Sequence, residues 1–144
     1  MRASLVLVFV LCACGPDLSA WKGTYAGTAV ITAGRQPEAY TGTLVVTDGA
    51  RFEGSAVSNG TTFSCALTAA TGDATTATFT VPTSCDLLAA PADDCTRKVT
   101  VNAASATLNG ATLEGNVTGR VAATCTSSSS TATDFAMQIS ATRR

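Results

Sequence analysis

From about residue 21 to the C-terminus, apolar and polar residues alternate with a period of two, the pattern of strands buried on one face. The last segment shows it best. Phe135, Met137, Ile139 and Ala141 fall on one side, and Asp134, Gln138, Ser140 and Thr142 on the other. Phe63, Cys65 and Leu67 alternate with Thr62, Ser64 and Ala66, and Ala77, Phe79 and Val81 alternate with Thr76, Thr78 and Thr80. Val99, Val101 and Ala103 precede a turn at Asn109-Gly110, after which Leu113, Val117 and Val121 resume the pattern. Segments 21–32, 40–47 and 51–58 complete eight predicted strands. Asp48-Gly49 and Asn59-Gly60 are two-residue hairpin signals, and the Ser-rich stretch 126–131 predicts a loop. No segment has helical spacing.

Hairpins in sequence predict an all-β, eight-stranded antiparallel meander. Closing it into a small β-barrel removes its exposed edges; a two-sheet β-sandwich is the alternative. The turn at 109–110 sets a register in which facing residue numbers sum to 220. Val99 then faces Val121 and Ala103 faces Val117, all on the apolar side, as pairing requires. The same register puts Cys95 opposite Cys125, within bridging distance. Cys65–Cys85 follows by elimination, with the loop beyond Pro82 folding back to reach Cys65. The rival connectivity is Cys85–Cys95 with Cys65–Cys125. A zinc site built from these four cysteines would normally show close Cys-x-x-Cys pairs, which the chain lacks.

The first residues follow a different pattern. Met1-Arg2 is a positive start, and 3–11 is an apolar run broken only by Ser4. That length suits a signal-peptide core and is about half a membrane span. The run ends in Leu11-Cys12-Ala13-Cys14, which resembles the bacterial lipobox: Leu three positions before the modified cysteine and a small residue just before it. Cys12 departs from the small residues usual at the middle position. The resemblance implies cleavage after residue 13, a lipid anchor on Cys14 and attachment to a membrane through it. Gly15 in the next position implies sorting to the outer membrane. The expected organisation is a signal peptide over 1–13, a lipidated cysteine and tether over 14–20, and one β domain over 21–144. With Cys12 removed and Cys14 lipidated, four cysteines remain, an even number in an exported chain.

Composition narrows the chemistry. The chain has 144 residues, no histidine, a net charge of −1 and only 13% charged residues. No basic patch is visible, so nucleic-acid binding is not expected. Without imidazole, nucleophilic triads and histidine metal motifs are absent, and no Ser motif accompanies Lys22 or Lys98. Glu53 and Glu114 are the strand-borne glutamates that a carboxylate pair would need, and their neighbours Phe52, Leu113 and Gly115 claim the inner face. Asp86, Asp93 and Asp94 share the loop between Cys85 and Cys95, and their spacing is not that of a calcium-binding EF-hand. No catalytic residue, metal or cofactor is expected.

The stretch 21–27, Trp-Lys-Gly-Thr-Tyr-Ala-Gly, resembles the first strand of lipocalin-like barrels. That family has Gly-x-Trp there and a basic residue late in the last strand. Gly23 and Tyr25 match with Tyr in place of Trp, and Arg143 stands where the basic partner is expected. An eight-stranded barrel either fills with side chains or holds one small ligand. The inward positions are rich in Ala, Gly and Val, and Tyr25, Phe63, Phe79, Val101, Val117 and Phe135 are the expected lining of an apolar pocket. The expected function is that of a non-enzymatic, lipid-anchored envelope protein meeting a protein partner. A carrier or sensor of a small apolar ligand is the alternative.

Overall fold

The computed structural model describes residues 15–34, 36–48, 50–88, 94–127 and 129–144. Among these residues a 3-10 turn, η1 (Ser19–Trp21), leads into nine strands: β1 (Gly23–Ala33), β2 (Gln36–Thr47), β3 (Arg51–Ser58), β4 (Thr61–Gly72), β5 (Thr76–Phe79), β6 (Thr83–Leu88), β7 (Cys95–Asn109), β8 (Thr112–Cys125) and β9 (Thr131–Arg143). All pairings are antiparallel, and β9 pairs with β1, so the sheet closes. The barrel has eight positions. Short β5 and β6 share one of them, between β4 and β7. The predicted closed meander is therefore present, and the sandwich is not.

The division between β5 and β6 has a chemical cause. Pro82 has no N–H to offer a ladder, so pairing lapses at 80–82 and resumes at Thr83. Beyond the break the chain continues in the same direction instead of folding back. Thr62 faces Leu88, Phe63 faces Leu87 and Ser64 faces Asp86. One residue further, the same register sets Cys65 across from Cys85, and these two are bridged. The fold-back loop expected beyond Pro82 is thus replaced by a strand.

The hairpin between β7 and β8 carries a second correction. Its loop is Gly110-Ala111, with Asn109 facing Thr112 and Gly110 at φ 60°. Near the loop, facing numbers sum to 221, so Ala104 and not Ala103 meets Val117. A bulge at Asn102 inserts one extra residue. Beyond it the expected register holds: Val99 faces Val121, Cys95 faces Cys125, and the second bridge forms there. Between β2 and β3, Thr47 faces Arg51, so the loop spans three residues, with Ala50 in the left-handed region at φ 64°. Three-residue hairpins place a left-handed residue at their end, and the two-residue turn expected at Asp48-Gly49 is not formed. Asn59-Gly60 forms as expected, with both residues at positive φ.

The alternation separates the faces. Outward positions on β8 and β9 include Glu114, Asn116, Thr118, Arg120, Gln138 and Ser140, all exposed or polar. A membrane-spanning barrel reverses this order, with an apolar outer band. The inward residues form two clusters. One gathers Leu18, Trp21, Tyr25, Val46, Phe52 and Phe79 near the end where η1 lies. The other gathers Tyr40, Phe63, Cys85, Val99, Phe135 and Met137 toward the opposite end.

Candidate functional site

The two clusters are separated by a belt of small residues. Ala141, Gly27, Gly42 and Ala56 face one another in sequence across β9, β1, β2 and β3. A Cβ on Gly27 would collide with the Ser140 carbonyl and Ala141, and one on Gly42 with the Ser55 carbonyl and Ala56. Glycine is required at both positions because the backbones of adjacent strands approach too closely for a side chain. Gly54 and Gly115 differ. A Cβ there would make ordinary contacts at 3.4 Å, with Leu44 and Ile139 respectively.

Above and below this belt the large side chains fill the barrel; at the belt they do not. A cavity of about 100 Å³ remains in the lumen, with an almost wholly apolar lining. Phe63, Phe79, Val101 and Val117 line it, as expected from the sequence, together with Phe52, Leu67, Leu113 and Met137. Tyr25 and Phe135 were expected on this wall and are not on it. The Phe135 ring occupies the space over Gly119, its partner in the ladder. Tyr25 belongs to the plug.

The plug is built from the N-terminal turn. Trp21 is fully buried, and its ring meets Phe52 edge-on at 5.6 Å; Phe52 in turn meets Phe79 at 4.8 Å. Trp21 Nε1 donates to the Asp73 carbonyl at 2.8 Å. The Tyr25 hydroxyl donates to the Trp21 carbonyl at 2.7 Å and accepts from Arg143 Nη2 at 2.7 Å. The Arg143 guanidinium lies 5.3 Å from the Tyr25 ring centre and also donates to the Ala20 carbonyl. Gly23 has φ 150°, and a Cβ there would press on Arg143 Nε at 3.3 Å. The three residues singled out by the lipocalin-like resemblance, Gly23, Tyr25 and Arg143, thus meet at one end of the barrel. Leu18 is also buried, so packing begins inside the segment 14–20 expected as tether.

Asp73 anchors the turn on which Trp21 docks. Its carboxylate accepts from the backbone N–H of Thr75 and of Thr76, each at 2.8 Å, and from the Thr75 hydroxyl at 3.0 Å. These bonds, the Thr75 amide foremost, favour the charged form and lower its pKa from 3.8 to about 2. A depressed carboxylate stabilises the fold above its ordinary pKa, and that contribution is lost as pH falls through the folded value. Stability is therefore expected to decline between about pH 4 and pH 2. The decline should be shallower in Asp73→Asn, measured by urea unfolding across that range; identical slopes would refute the role.

The other candidate residues do not assemble. Glu53 is exposed beside Arg51 on β3. Glu114 is exposed on β8, four positions round the eight-position barrel from β3. The two glutamates therefore sit on opposite sides and form no carboxylate pair. Lys22 is paired with Asp48 at 2.8 Å, and Lys98 faces Ala122 on the outer wall. Of the acidic loop, Asp93 lies outside the described residues. Asp94 accepts from Thr126 Oγ1 at 2.9 Å and the Ser127 amide at 2.7 Å, which lowers its pKa, the Ser127 bond foremost. It approaches Cys95 and Cys125, whose sulfurs are committed to each other. Cys14 also lies outside the described residues.

No protein-family model matches the chain, and no curated protein or solved structure matches it either.

Proposed function

We propose that the mature protein is a non-enzymatic, lipid-anchored barrel of the bacterial cell envelope, held at the outer membrane through Cys14. The observation that carries this reading is the pair of cross-strand disulfides, Cys65–Cys85 and Cys95–Cys125. Such bridges form in an oxidising compartment outside the cytosol, the destination that the lipobox-like Leu11-Cys12-Ala13-Cys14 implies. The separation of Glu53 from Glu114 and the lack of any histidine support a binding or structural role over catalysis. The anchor is tested by Cys14→Ser. The protein is expected to leave the membrane fraction and appear in the soluble periplasmic or secreted fraction. Continued membrane association would sink the reading.

The lumen supports a second, compatible reading: a carrier or sensor of a small apolar ligand. A dry apolar cavity of about 150 Å³ binds benzene, and the lumen cavity is of similar size and character. Drug-sized ligands occupy pockets of about 300–1,000 Å³, so the ligand class here is a single aromatic ring or a short hydrocarbon. Gly54 and Gly115 give a direct test because both line the cavity and both have room for a methyl. Gly54→Ala with Gly115→Ala should fold and gain up to about 1 kcal/mol per site. The wild type should show a rise in melting temperature with benzene or toluene that the double variant loses. Equal shifts in both proteins would remove the lumen as the binding site. No shift in either would leave the partner-binding role alone.

A further inference from the structure

We propose that the barrel stands on the bilayer with its plugged end down, so that the plug-end turns meet the lipid headgroups and the disulfide-tied end faces away. This rests on the reading of Cys14 as the anchor. The strand directions place the start of β1 and the end of β9 at one end, together with the turns at 48–50, 73–75 and 110–111. The ends of β1, β3, β6 and β8 at Ala33, Ser58, Leu88 and Cys125 lie at the other, as does the Cys95–Cys125 bridge.

The tether is short because packing begins early. Leu18 is buried in the plug cluster, and its carbonyl accepts from the Trp21 amide at 3.0 Å. The Asp17 carboxylate accepts from the Ser19 amide at 3.2 Å, which restrains one residue more. From Leu18 back to Cys14 there are four residue steps, a reach of at most about 14 Å even when fully extended. Strands of 11 to 15 residues make up much of the wall. At a rise of ~3.3 Å per residue and a tilt near 40°, the wall is roughly 30 Å tall. The tether therefore cannot bring the disulfide end to the membrane. The exposed valines of the outer wall on β1 to β3, Val30, Val45 and Val57, stand among polar neighbours, Val45 between Thr24 and Glu53 and Val57 between Thr41 and Thr62, and make no continuous apolar patch to hold the barrel on its side. What remains is the plugged end against the headgroups, with Asn59-Gly60 and the Cys95–Cys125 bridge presented outward.

The chain carries two lysines, Lys22 at the plugged end and Lys98 toward the other. They lie about 25 Å apart along the axis by the same strand geometry. Full-length lipidated protein would be reconstituted into phosphatidylcholine–phosphatidylethanolamine vesicles carrying a headgroup-labelled acceptor lipid. A donor dye would be attached to Lys22 in Lys98→Arg, and to Lys98 in Lys22→Arg. Energy transfer to the acceptor is expected to be severalfold stronger from Lys22. Insertion of a long Gly/Ser spacer between Gly15 and Pro16 should reduce the Lys22 signal. Equal transfer from both sites would mean that the barrel lies on its side, and stronger transfer from Lys98 would invert it; either overturns the proposal while leaving the anchor intact. Failure of the protein to float with the vesicles would overturn the anchor itself, and the orientation with it.

Discussion

Trp21→Ala is expected to lower the unfolding free energy by about 3–5 kcal/mol, the range for truncating a buried large aromatic. Trp21 is fully buried and starts the aromatic series that continues through Phe52 to Phe79. Its removal would also leave the Asp73 carbonyl without the indole N–H. Trp21→Phe keeps most of the ring and loses that bond, so its penalty should be clearly smaller. The measurement is urea unfolding followed by far-UV circular dichroism, because the chain's single tryptophan is the residue being changed. A loss below about 1 kcal/mol for the alanine variant, the size of one net hydrogen bond, would mean that η1 rests on the barrel without plugging it. The same experiment bears on Arg143. If the plug is one unit, Trp21→Ala and Arg143→Ala should be less than additive, since Arg143 holds the main chain of η1, through the Ala20 carbonyl and through Tyr25 on the Trp21 carbonyl, in the place where the indole docks.

The second large effect is expected at the bridges. Removing Cys95–Cys125 by paired alanine substitution frees a closed loop of 30 residues, and removing Cys65–Cys85 frees one of 20. Loop-closure entropy puts these at about 3–4 kcal/mol each. Cys85 is also buried, so its replacement forfeits packing as well. Single-domain proteins have only about 5–15 kcal/mol in total. Loss of either bridge should therefore shift the denaturation midpoint strongly, and loss of both should approach the unfolding threshold. Guanidinium unfolding of each variant tests this. An unchanged midpoint for the 95–125 pair would refute the loop-closure account of that bridge.

Much of the architecture was legible because a strand's side-chain period of two is a local property. The inward sets Phe135-Met137-Ile139-Ala141 and Phe63-Cys65-Leu67 needed no partner to be recognised, and a series of hairpins leaves a closed meander as the arrangement without edges. The Cys95–Cys125 pairing was legible for the same reason, since it follows from register. What escaped were single-residue irregularities. The bulge at Asn102 moves Ala103 off the inner face, and the three-residue turn ending at Ala50 replaces a two-residue one. Such insertions depend on how two strands twist against each other, which no window along one strand records. The continuation of the chain through Pro82 escaped too. A proline reads locally as an end of pairing, whereas closure of the barrel brings β6 back between β4 and β7.

The alternation by itself determined the class of fold, its inner and outer faces and the bridge at Cys95. The N-terminal lipobox-like sequence and Gly23, Tyr25 and Arg143 pointed to where function should be sought. Only the tertiary structure decided which inward residues meet. Tyr25 and Phe135 have the composition of a pocket lining, yet one is drawn into the plug by Arg143 and Trp21 and the other fills the space over Gly119. The cavity itself depends on Gly27 and Gly42 falling opposite each other on adjacent strands, with Gly54 and Gly115 nearby on the wall. A lumen is a property of the closed sheet: its width and emptiness follow from which side chains share a level across strands distant in sequence, and closure alone sets that level.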